Sequence, residues 1–224
     1  MSRTWTYRDL ELVETLARRV RLLTVGQIAA GWWPSDVALR TVRRRLRRLL
    51  AGRLLLRSIV NAHPPLPLTG PLASWSPDRP VPDFEAVSVK ARRRWTEAAV
   101  PQEVYFASPL AANLLGSTAG SLPAINHRDH DLLLGQVYVF YRTKRSEEAA
   151  RWIGEDCLPK AGFRIKDPDA FLLDAERRIE RVIESAGRYS PEQVEWRDPR
   201  TNLIRICALP ELIHLIAPPP IQRR

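Results

Sequence analysis

The 224 residues are 45% hydrophobic, enough apolar side chain to core one large domain or two small ones. The formal charge of +10 is unevenly placed: residues 1–60 hold 13 Arg and no Lys against Asp9, Glu11, Glu14 and Asp36, whereas residues 61–224 set 22 bases against 21 acids. A basic field confined to the N-terminal quarter is the footprint of a nucleic-acid-binding module, and no apolar run approaches the roughly 18 residues that span a membrane.

No signal peptide or lipidation motif is visible. Cys157 and Cys207 form neither a disulfide framework nor a metal-ligand spacing, so a reducing cytoplasm is expected.

Thr6 or Asp9 is expected to cap a first helix running to Leu23, in which Leu10, Val13, Leu16, Ala17 and Val20 recur at helical spacing. Thr24-Val25-Gly26-Gln27 fits a capping box and opens a second helix, Val25 to Trp32. Gly31 and Pro34 break the chain, and Ser35 or Asp36 is expected to cap a third helix. There six arginines fall within nine residues, threaded through Leu39, Val42, Leu46, Leu49 and Leu50. Those five apolar positions share an arc of about 100° on a helix. Arg40, Arg44, Arg47 and Arg48, with Val37 and Thr41, take the opposite side, and Arg43 and Arg45 flank the stripe.

Ala51-Gly52 offers a left-handed C-terminal stop, and Leu54 to Val60 reads as a strand. Helix, two helices and a strand in this order predict a winged helix-turn-helix. Ser35, Asp36, Val37, Arg40, Thr41 and Arg44 would then meet base edges. Arg47, Arg48, Arg53 and Arg57 would hold phosphates, with Arg43 beside them. The alternative is a solvated helix face, or a groove for an acidic protein partner.

Residues 61–82 carry seven prolines in 22 positions, which excludes helix. A short strand from Leu72 to Trp75 could complete the wing, with His63 an exposed residue of it. A helix from about Asp83 to Glu97 follows, containing Arg92-Arg93-Arg94 beside Trp95. Next come a strand, Glu103 to Ala107, a helix from Pro109 to Leu115, and a Gly/Ser-rich loop over 116–122. A long apolar helix, Asp129 to Tyr141, begins at His130, read as a capping or packing residue.

Chemistry is best sought in residues 151–189. A strand, Ala170 to Leu173, turns at Asp174-Ala175-Glu176 into a second, Ile179 to Glu184. Carboxylates at Asp169 and Glu184, with Glu155 as a third, resemble the Mg²⁺-holding pair of PD-(D/E)xK nucleases. The lysine expected two positions after the second acid is Ala186, and the nearby substitutes are Lys166 and Arg188. Arg is a poor proton donor or acceptor near neutral pH. The expectation is therefore a protein that is not an enzyme and needs no cofactor. The alternative is a Mg²⁺-dependent nuclease using Asp169, Glu184 and Glu155.

Three blocks together resemble the bacterial replication-relaxation family: LLTVGQIAAGWWPSDVALRTVRRRLRRLLAGRLLLR, RDHDLLLGQVYVFY and KDPDAFLLDAERRIERVIESAGRY. The resemblance covers about a third of the chain and implies a fold of mixed α+β and α/β character. A winged helix-turn-helix over residues 1–80 would precede a degenerate nuclease-like α/β domain over 81–224. It implies duplex DNA as partner, and replication, mobilisation or regulation of a plasmid or other mobile element as the process. A replication, mobilisation or transposition protein would be the protein partner. The C-terminal part departs from the family by being short: a helix start over Ser190 to Trp196, a strand over Leu203 to Cys207 and a helical turn over Pro210 to Ile216. If this apolar tail did not complete the core, it would form a homodimer surface.

Overall fold

The computed structural model describes residues 4–64, 68, 80, 83, 85–86, 88–89, 97–157 and 169–183, and the backbone of strands at 195–197, 204–206 and 215–216. Helix α1 (Tyr7–Arg18) begins at Thr6, whose hydroxyl accepts from the backbone N–H of Asp9 while the Asp9 carboxylate accepts from the Thr6 N–H. That reciprocal box satisfies two otherwise orphaned donors. Strand β1 (Leu23–Thr24) runs directly into α2 (Val25–Trp32), which is capped by the Thr24–Gln27 box the sequence predicts.

Helix α3 (Leu39–Ala51) starts later than expected. Its cap is Ala38, with no side-chain cap bond, because Ser35 and Asp36 are taken up in a turn closed by the Val37 N–H on the Pro34 carbonyl at 3.1 Å. The amphipathic reading holds for Val42, Leu46 and Leu49, all wholly buried, but Leu39 is exposed at the helix start. Gly52 does not adopt the expected left-handed conformation: its φ is −82°, and Arg53 takes φ +59° instead. A Cβ at 52 would stand 2.7 Å from the far edge of the Trp5 ring, so a larger residue there would have to displace that side chain.

Strand β2 (Leu55–Ala62) pairs antiparallel along its full length with β3 (Val100–Ala107); the strand expected from Leu72 to Trp75 lies outside the described residues. β3 also pairs with β1, giving a three-stranded sheet in the order β1-β3-β2. The expected boundary at residue 80 thus falls between two strands of one sheet. Helix α4 (Pro109–Leu114) is capped by Ser108, whose hydroxyl also donates to the Arg53 carbonyl at 2.6 Å. A 3₁₀ turn leads into α5 (Arg128–Lys144), then come α6 (Ser146–Ala150) and β4 (Trp152–Gly154). β5 (Ala170–Leu173) and β6 (Ile179–Ile183) form the expected hairpin.

Two tail expectations fail in the backbone. β7 (Glu195–Arg197) is a strand where a helix start was expected, and it pairs with β8 (Ile204–Ile206). β9 (Leu215–Ile216) extends the second sheet, β4-β5-β6-β9, where a helical turn was expected. A short apolar run is ambiguous between the two states, and edge pairing with β6 decides it. Every strand pairing among the described residues is antiparallel, so the chain is α+β.

The core ignores the expected division. One cluster runs from Leu12 and Leu16 of α1, through Val42 and Leu46 of α3, to Tyr138 of α5, Trp152 of β4 and Leu172 of β5. The other face of the first sheet, with Val60, Val104 and Phe106, packs on Leu132 of α5. Burial on both faces explains why β3 ends in an unbroken buried run rather than an alternating one. α5 passes β1 closely at Gly135, where a Cβ would lie 2.7 Å from the Leu22 carbonyl oxygen. Polar bridges add to the same contact. Arg142 of α5 binds Glu11 of α1 through both carboxylate oxygens and donates to the Gly31 carbonyl at 2.8 Å, its guanidinium 4.4 Å from the Trp32 ring centroid.

Candidate nucleic-acid interface

The buried stripe of α3 faces the core and turns the remaining arginines outward. The two flanking arginines are tied down by carboxylates from opposite directions. Arg45 forks onto Asp9 of α1, Nε to Oδ1 at 2.7 Å and Nη2 to Oδ2. Asp9 is 1% exposed and also accepts from Thr6, so its two oxygens are saturated. Burial alone would raise the Asp9 pKa, but the bonds from Arg45 and Thr6 outweigh it and hold it below the usual carboxylate value. On the other flank Arg43 donates to Glu103 of β3 at 2.8 Å. Glu103 also accepts from the Tyr105 hydroxyl at 2.8 Å and lies 3.5 Å from Arg57. Its pKa too is lowered against burial, by Arg43 and Tyr105, while burial and then the Glu103 charge push Tyr105 up to about 12.

Between these anchored flanks stand Arg40, Arg44, Arg47 and Arg48. All four are exposed, and none has a carboxylate partner among the described residues. Arg53, on its left-handed backbone beyond the helix end, is exposed as well. Of the residues singled out in the sequence, Arg40, Thr41, Arg44, Arg47 and Arg48 lie on α3, with Thr41 half-buried. Ser35, Asp36 and Val37 precede it in the turn, and Arg43 and Arg57 are engaged by Glu103. Asp9 and Glu103 were missed by sequence reasoning. Their partners lie 36 and 60 positions away, beyond any local spacing rule.

The expected carboxylate site is committed elsewhere. Asp169 meets His130 Nε2 at 3.1 Å, and its carbonyl accepts from the Glu155 N–H at 3.2 Å. Glu155 lies 2.6 Å from Arg21, which also grips Asp156 with two bonds of 2.7 Å. Glu184, Lys166 and Arg188 lie outside the described residues, as do Arg92 to Arg94. Magnesium needs open oxygen ligands. Among the described residues Asp169 is engaged by His130 and Glu155 by Arg21, and no group of three or more His, Cys, Asp or Glu could hold a metal ion.

Beside it sits a residue the sequence reading passed over. Asp131 is 2% exposed, and its Oδ2 has no hydrogen-bond partner among the described residues. Burial raises its pKa to about 7, the His130 and Arg21 charges opposing and Glu155 and Asp169 adding to the rise.

No protein-family model matches the chain, and neither curated proteins nor solved structures provide a match. Among the described residues, no helix is long and apolar enough to cross a membrane.

Proposed function

We propose that this protein binds duplex DNA through a winged helix-turn-helix in which α3 enters the major groove. One observation carries the reading: four arginines of α3 are exposed and have no carboxylate partner among the described residues, while the two at its edges are spent on anchoring the helix. Unpaired guanidiniums on a rigid helix match phosphates and guanine edges without any reorganisation of the protein. The element order supports it, since helix, short strand, two helices and two long strands in a β1-β3-β2 sheet follow the winged-helix plan. Arg40, Thr41 and Arg44 are assigned to base edges, Arg47, Arg48 and Arg53 to phosphates, Arg43 to holding α3 against β3, and Arg57 to joining β2 to β3 through Glu103. The resemblance to the replication-relaxation family supplies the process, replication, mobilisation or regulation of a plasmid or other mobile element. On this reading the second sheet braces the DNA-binding half and performs no cleavage.

The test is a mobility shift of the full chain on labelled duplexes at low salt, with a parallel incubation of supercoiled plasmid and Mg²⁺. Retarded duplex and intact supercoils are expected. Failure to bind any duplex overturns the reading. Nicking that disappears in Asp169→Ala moves the protein to the nuclease class instead.

A further inference from the structure

A cavity of about 720 Å³ lies along one edge of α3, walled by the first turn of α1, the end of α2 and the α3 residues Thr41, Arg44, Arg45 and Arg48. Its charges do not balance. Asp9 and Glu11 line it, but Arg45 saturates the first and Arg142 the second. Arg8, Arg44 and Arg48 line it too, with no carboxylate partner among the described residues. Arg8 lies with its guanidinium carbon 4.9 Å over the Trp33 ring centroid, a contact that uses no hydrogen-bond donor of the side chain. At the same cavity stands Tyr7, 82% exposed, a large aromatic whose ring the packing of the fold does not use.

We infer that this cavity binds a nucleotide, with the base stacked on Tyr7 and the phosphate held by Arg8, Arg44 and Arg48. Guanidinium forks match phosphate oxygens in pairs, and an exposed ring gives any base a stacking platform. The volume lies within the roughly 300–1,000 Å³ of small-ligand sites. The bound unit is either a free nucleotide or the phosphorylated end of a single strand. A consequence rests on the DNA reading above: because Arg44 and Arg48 belong to both surfaces, an occupied cavity withdraws two of the four free cations from duplex, and the two ligands compete.

Titration calorimetry of the full chain separates these claims. The probes are AMP, GMP, a phosphorylated trinucleotide, inorganic phosphate and adenosine. A nucleotide is expected to bind at least about tenfold more tightly than phosphate or adenosine alone. Arg8→Ala should weaken it about tenfold or more, and Tyr7→Ala should erase its advantage over phosphate. Both positions are exposed, so neither change removes core packing. Binding of AMP or GMP identifies a free nucleotide as ligand, and binding of the trinucleotide alone identifies strand ends. The inference is overturned if neither binds in the low millimolar range, if phosphate binds equally well, or if both variants bind like the parent. Duplex affinity is measured separately, with Tyr7→Ala expected to leave it unchanged. Nucleotide binding without duplex binding would sink the DNA reading alone, and the reverse result would sink only the cavity.

Discussion

Replacing Arg47 and Arg48 by Ala removes the two guanidiniums of α3 assigned to phosphates while leaving its buried stripe and both anchoring ion pairs intact. Each phosphate neutralised contributes about −0.9 to the slope of log affinity against log salt. The two phosphate contacts assigned to Arg47 and Arg48 give an α3 share of about −1.8, which alone makes affinity fall about twelvefold between about 50 and 200 mM salt. Without them that share vanishes, and the total slope is shallower by about 1.8. Fluorescence anisotropy on a labelled duplex across that salt range measures the difference directly. The change in slope is the test, since other cations add to the total equally in both proteins. Arg43→Ala is the matched control: Glu103 already engages that guanidinium, so its slope should stay close to the parent's. A double variant with unaltered slope, or a control that shifts it as much as Arg48→Ala alone, refutes the assignment of α3 as the interface.

Three further outcomes concern the frame around the helix. Asp9→Asn leaves Arg45 without its buried counter-charge and should cost about 2–3 kcal/mol in denaturant unfolding, a sum below the full buried-pair range because Arg45 reaches solvent. As the Asp9 and Glu103 pKa values are lowered in the fold, the stability they contribute is present above the ordinary carboxylate pKa and lost as pH falls through the folded values; Asp9→Asn should flatten that acid limb. Asp131 has the opposite sign. Its folded pKa of about 7 stands above the unfolded one, so the native state loses stability between about pH 4 and 7 and none beyond. Asp131→Asn should therefore stabilise the protein by about 2–4 kcal/mol at pH 8 and hardly at all at pH 4, and a gain independent of pH would contradict this. Gly135→Ala drives a methyl onto the Leu22 carbonyl and should cost about 1–3 kcal/mol by forcing α5 off β1, read as a lowered melting temperature.

Local relations were legible in the sequence. The cap of α1 at Thr6, the Thr24–Gln27 capping box, the extent of α2, the buried stripe of α3 and the β5–β6 turn all depend on residues within a few positions of each other, which is the range over which spacing carries information. What escaped was decided at a distance. Nothing in Ala51-Gly52 announces that Trp5 lies against it, and nothing near Arg43 announces Glu103. Ser35 and Asp36 are good caps by residue type, yet the Pro34 turn consumes them before the helix starts. The free-arginine face was therefore visible as a charge pattern, but which arginines remain free became apparent only once their long-range partners were known.

The central position of β3 has a consequence for the order in which this protein is made. β1 and β2 emerge from the ribosome early, yet neither pairs with the other; both wait for β3, which begins at Val100, well after Thr24 and Ala62. Until Ala107 has been synthesised, the nascent chain presents two open strand edges next to a basic helix, the combination most exposed to mispairing. A fragment cut at residue 80 is held permanently in that state. The shortest piece that can close the first sheet must run through Ala107, and covering its second face with Leu132 requires α5 as well.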